Sequence, residues 1–85
     1  MQTDGGPRLT VYGRGYCHLC DDMVAELKEQ QMLLRFVFDV VDVDSSPELE
    51  ARYGELVPVL SDGDREICHY HLDIAALTAY LGQIG

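Results

Sequence analysis

Positive charge is scarce in this chain: 6 lysines and arginines stand against 15 aspartates and glutamates, a formal net charge of −9 over 85 residues. That balance argues against nucleic acid and anionic membrane as partners and favours a protein partner with a basic or neutral face. Cysteine is sparse as well, and 3 residues are too few for a disulfide-dense secreted scaffold. No N-terminal stretch joins a basic segment, an apolar core and a cleavage site, so a cytoplasmic location is expected. No apolar run approaches the roughly 18 residues of a membrane helix, and the chain has no internal repeat or low-complexity tract. At this length there is no room for a second domain, and a monomer is expected.

What is present is a pair of cysteines in one short motif, Tyr16-Cys17-His18-Leu19-Cys20, set between an apolar run and a helix-like one. Arg8 to Tyr12 alternates, with Leu9 and Val11 on one face, and reads as a first strand. From His18 to Gln31, Leu19, Met23, Val24 and Leu27 follow a helical stripe with acidic residues early, as the helix dipole favours. Leu33 to Val43 is dense in β-branched and aromatic residues and suits a strand buried on both faces. Ser45 and Ser46 can cap a short helix over Glu48 to Arg52, with Pro47 in its first turn and Gly54 near its end.

Val57 to Leu60 is a further strand candidate, and its Pro58 must sit where the missing N–H is harmless. Ser61-Asp62-Gly63-Asp64 reads as a turn, after which Arg65 to His69 returns antiparallel. Strand alternation would put His69 and His71 on one face. Asp73 looks like the cap of a last helix whose apolar face is Ile74, Leu77, Leu81 and Tyr80, with Gly82 placed to end it. The order β-α-β-α-β-β-α, with a parallel first crossover and a final hairpin, fits a four-stranded mixed sheet flanked by three helices, the thioredoxin architecture.

Three stretches carry a resemblance to a known family: Val11-Tyr12-Gly13-Arg14-Gly15-Tyr16-Cys17-His18-Leu19-Cys20, Leu56-Val57-Pro58-Val59-Leu60, and Asp62-Gly63 with the closing helix. From Arg8 to Leu81 the chain resembles the glutaredoxin-like family of the thioredoxin-fold superfamily, particularly the small bacterial glutaredoxin-like proteins. The resemblance implies one α/β domain, residues 1–85 being a single domain in which residues 1–7, with two glycines and a proline, are expected to be a flexible N-terminus. It implies a thiol–disulfide oxidoreductase in which Cys17 is the nucleophile and Cys20 the resolving thiol. It also implies that Pro58 is cis and that Arg14 meets a glutathione carboxylate. His18-Leu19 stands where well-characterised relatives carry Pro-Tyr, and His69-Tyr70 stands where their paired glycines receive glutathione.

The substrate-binding candidates are therefore Arg14, Tyr16, His18, Val57, Pro58, His69 and Tyr70. No tightly bound cofactor is expected, and glutathione is a possible co-substrate. The expected partners are a disulfide-containing protein or a glutathione mixed disulfide, and a thioredoxin-like protein is a possible electron donor.

The residues themselves favour the same chemistry. A cysteine at a helix N-cap faces unpaired backbone N–H groups that stabilise a thiolate, to which Arg14 or a protonated His18 would add, whereas Asp21 and Asp22 oppose it. Two other readings stay open at this point. One is a protein-binding or adaptor module that keeps the fold without turnover. The other is a metal or iron–sulfur carrier, in which Cys68 with His69 and His71 could serve as ligands instead of packing.

Overall fold

The computed structural model describes residues 6–84, and of the N-terminal segment expected to be flexible, residues 1–5 lie outside the described residues. Its elements run β1 Arg8–Gly13, α1 His18–Gln30, β2 Val37–Asp42, a 3₁₀ turn at Val43–Ser45, α2 Pro47–Tyr53, β3 Val59–Asp62, β4 Arg65–His69 and α3 Ile74–Ile84. The four strands form one sheet in the order β2-β1-β3-β4. β1 and β2 are parallel, from Arg8↔Val37 to Gly13↔Asp42, while β3 is antiparallel to both β1 and β4. This is the thioredoxin-like arrangement expected from the element order.

Strand alternation distributes the core between the two faces of the sheet. Leu9 and Val11 of β1 and Leu60 of β3 pack with Met23 and Leu27 of α1 and Leu77 and Leu81 of α3. Val59, the neighbour of Leu60, turns to the other face and packs with Val43 and with Tyr53 of α2. There Tyr12 and Tyr53 stack with ring centroids 4.1 Å apart. Alternating apolar residues in the two inner strands thus require helices on both faces.

Several expectations are corrected. The Leu33 to Val43 segment is not a strand buried on both faces: only Val37–Asp42 is strand, and it lies at the sheet edge. Leu33 and Val40 are 79% and 57% exposed. Leu33 and Leu34 instead close a turn after α1, both donating their N–H groups to the Gln30 carbonyl. β-branched residues suit a pleated strand but do not determine its burial, which here depends on β3 having inserted on the other side of β1.

The cap before α2 also differs from expectation. Ser46 occupies the N-cap position without a side-chain hydrogen bond. Asp42 instead accepts the Asp44 N–H at 2.8 Å, and the Ser45 hydroxyl donates to the Asp42 carbonyl at 2.6 Å. β3 begins at Val59, so Pro58 precedes the ladder. The hairpin connection is only Gly63-Asp64, since Asp62 pairs with Arg65, and Gly63 takes the φ of 61° that such a tight turn demands.

β4 ends at His69, and Tyr70 has a φ of 66°, so His69 and His71 do not share an extended strand. Asp73 caps α3 by accepting the Ala76 N–H at 2.9 Å. The helix nevertheless runs past Gly82 to Ile84, and Ile74 is 47% exposed. Among the described residues, no helix is long and apolar enough to cross a membrane.

Candidate active site

β1 delivers the chain to Gly13 at one end of the sheet, and Arg14, Gly15 and Tyr16 turn it into α1. Cys17 is the N-cap of that helix, in extended conformation with φ −124° and ψ 109°. Its carbonyl accepts the Asp21 N–H at 3.1 Å. Its sulfur accepts the Cys20 N–H at 3.1 Å, the role a serine or aspartate oxygen usually takes at this position. Cys17 Sγ thus sits half-buried on an orphan donor of the first helical turn, where the helix dipole attracts negative charge.

Cys20 is one turn further in, 6% exposed. Burial first, and then the hydrogen bond with Cys17, push its thiol up to about 11, with the Arg14 backbone N–H pulling partly the other way. The two sulfurs are therefore unequal. Cys17 is the accessible one, and Cys20 is held protonated behind it at neutral pH. Gly13 is what lets Cys20 lie there, because a Cβ on residue 13 would stand 3.1 Å from Cys20 Sγ.

This inequality sets a pH window. The folded state raises the Cys20 pKa, so the unfolded chain releases that proton first, at about 8.5. Above that point the unfolded state binds fewer protons, and stability falls until pH passes the folded value of about 11. Urea midpoints are expected to decline over this alkaline window, less steeply in Cys20→Ser. A residual slope is expected, because burial also raises Cys68 and Tyr53. Midpoints with the same slope in both proteins would contradict this environment for Cys20.

The remaining candidates fall into three groups. Tyr16 and His18 flank Cys17, and Tyr16 is fully exposed. The Val57–Pro58 peptide is cis; because Tyr12 pairs with Val59, Pro58 falls one residue beyond that pairing, level with Gly13. Tyr70 belongs to this loop, its N–H donating to the Pro58 carbonyl at 2.9 Å and its hydroxyl to the Glu55 carbonyl at 3.0 Å. His69 packs edge-on against the Tyr70 ring, centroids 4.6 Å apart, with its Nδ1 2.6 Å from Glu66 Oε2. Cys68 packs against the core beside Leu60. Among the described residues, no group of three or more His, Cys, Asp or Glu side chains is arranged to hold a metal ion.

Arg14 has partners that inspection of the motif missed. Nη2 donates to Glu50 Oε2 at 3.2 Å and to the Gly54 carbonyl at 3.3 Å, and Nη1 lies 3.7 Å from Asp44 Oδ1. The Glu50 hydrogen bond raises its pKa further, so its charge is permanent and already matched by carboxylates. Gly54 makes the fork possible. A Cβ there would lie 2.5 Å from the Glu50 carbonyl oxygen and 2.9 Å from Arg14 Nη2. Gly54→Ala is therefore expected to destabilise the protein by about 1–3 kcal/mol. Gly15→Ala, with no atom within 4 Å of its Cβ, should stay within about 0.5 kcal/mol. Equal melting temperatures for the two variants would contradict the close approach at Gly54. No sequence pattern marks this fork, since Glu50 and Gly54 lie 36 and 40 positions from Arg14.

A thioredoxin-type sheet with a cysteine pair at the β1–α1 junction defines a class: glutaredoxin-like proteins of the thioredoxin-fold superfamily. Residues 8–82 match the family model described as Glutaredoxin-like domain (DUF836), and the chain belongs to that family. Among solved structures it is similar to protein Ne2328 from Nitrosomonas europaea, with 40% identity over 94% of this chain and 98% of that one and a TM-score of 0.79. It is also similar to protein XcR50 from X. campestris, with 38% identity over 88% of this chain and 96% of that one and a TM-score of 0.64. No curated protein matches the chain.

Proposed function

We propose that the protein is a thiol–disulfide oxidoreductase that acts through Cys17 and Cys20. The observation that carries this reading is the pair's asymmetry: Cys17 Sγ is half-buried at the helix N-cap on the Cys20 N–H at 3.1 Å, while the buried Cys20 thiol is pushed up to about 11. The Cys17 thiolate attacks one sulfur of a client disulfide, forming a bond to it and expelling the other client sulfur as thiolate. Cys20 then gives its proton to solvent or to the leaving sulfur and attacks Cys17 Sγ. The client's second sulfur departs, and a Cys17–Cys20 disulfide remains. Two electrons have passed from the dithiol to the client.

An external thiol donor, glutathione or a thioredoxin-like protein, must then reduce the pair. The client is a disulfide-containing protein or a glutathione mixed disulfide, and the reading suits a reducing compartment such as the cytoplasm. Tyr16, His18, Val57 and Pro58 would border the client, and Tyr70 would shape the loop that carries Pro58. Arg14, forked onto Glu50 and Gly54, would hold the cysteine loop to α2 more than reach for a carboxylate. The test is turnover of a small neutral disulfide with glutathione, and separately with a thioredoxin-like donor, as the electron source. Turnover with either donor is expected and identifies it; turnover with neither contradicts the proposal.

A further inference from the structure

Beside Cys20, on the face away from α2, a cleft of about 250 Å³ opens between α1 and the free edge of β2. Val11 lines its apolar interior with Val24 of α1 and Val40 of β2, and Cys20 contributes to the wall. Asp21 on α1 and Asp42 at the end of β2 supply exposed carboxylates on two sides. Val40 is 57% exposed, so this wall of the cleft is open to solvent at the sheet edge. The volume falls below the ~300 Å³ at which small-molecule pockets begin and suits a side chain.

Arg14 also borders the cleft, yet its guanidinium is turned onto Glu50, the Gly54 carbonyl and Asp44. Glu50, Asp44 and Asp42 all act on the Arg14 charge, and Asp21 adds a further carboxylate to the cleft wall. An entering group finds apolar walls with negative charge at the mouth. A long aliphatic stem ending in a cation matches both features, and an anionic tripeptide matches neither.

We propose that this cleft is a specificity pocket for an arginine or lysine side chain of the client polypeptide, close in sequence to the client's disulfide. The proposal rests on the exchange reading above and deepens it by naming the client's chemistry. The stem would lie against Val24 and Val40, with the cationic head between Asp21 and Asp42. Cys20 is the cysteine that borders the cleft, so docking there would set the client against the Cys20 side of the pair.

The test uses the full chain and three otherwise identical peptides, each with one cysteine in mixed disulfide with 2-mercaptoethanol and each carrying arginine, norleucine or glutamate at a neighbouring position. The rate of the first exchange is measured for each. The norleucine peptide reports exchange itself. The arginine peptide is expected to react about fivefold faster than the norleucine peptide, and the glutamate peptide more slowly.

In Asp42→Asn, which keeps an oxygen to cap the 3₁₀ turn, the arginine preference is expected to fall about threefold. Asp21→Asn should act in the same direction. Glu29→Gln removes the same charge at the far end of α1 and should leave the preference at its original value. Equal rates for the three peptides overturn the pocket. So does an equal fall in Asp42→Asn and Glu29→Gln, because uniform attraction by the net charge would then explain the preference. If no peptide reacts, the exchange reading itself falls and the pocket proposal falls with it.

Discussion

Cys20→Ser is expected to stop exchange half-way, with a client or glutathione adduct accumulating on Cys17 and resisting everything but added thiol. Cys17→Ser is expected to form no adduct and to lose about 10³-fold or more in rate. The asymmetry of the two sulfurs sets this order of events. Cys17 is accessible at the N-cap, whereas Cys20 is 6% exposed and protonated up to about pH 11. Serine is itself a favoured N-cap, so Cys17→Ser should keep the Cys20 N–H partnered and the helix intact. Mass mapping of adducts in the two variants checks this assignment. An adduct that forms on Cys20 when Cys17 is replaced would reverse the roles.

The second large effect concerns stability. Leu60, fully buried, sits in β3 between its pairing partners Val11 and Cys68 and belongs to the core shared by α1 and α3. Leu60→Ala removes that packing from the inner part of the sheet and is expected to destabilise by about 2–5 kcal/mol. A domain of this size has only about 4–13 kcal/mol in total, so the melting temperature should fall by more than about 10 °C. Met32, 85% exposed after α1, is the matched control, and Met32→Ala should stay within about 0.5 kcal/mol. Similar melting temperatures for the two variants would contradict the core assignment.

The features legible in the sequence are those governed by local physics. The Leu9 and Val11 alternation, the helical stripe through Met23 and Leu27, the Gly63 turn and the Asp73 cap each depend on residues only a few positions apart. The cysteine pair was legible for the same reason, since a helix start after an apolar run is a local event.

Properties that depend on where distant segments arrive were not legible. Val40 looks like a core residue in the sequence, and only the insertion of β3 beside β1 leaves it at an open edge. Arg14 looks like a free cation beside the cysteines, and only the packing of α2 supplies Glu50 and the Gly54 carbonyl. His69 and His71 alternate in the sequence, but the φ of 66° at Tyr70 ends the strand between them. The cleft beside Cys20 likewise needs three elements to be in place before it exists.

The central claim is that Cys17 and Cys20 form a working dithiol couple, and equilibrating the full chain in glutathione redox buffers, with acid quenching and mass mapping, tests it most directly. A reversible Cys17–Cys20 disulfide is predicted, replaced by a glutathione adduct on Cys17 when Cys20 is serine. The absence of both species across the whole range of buffers would contradict the account.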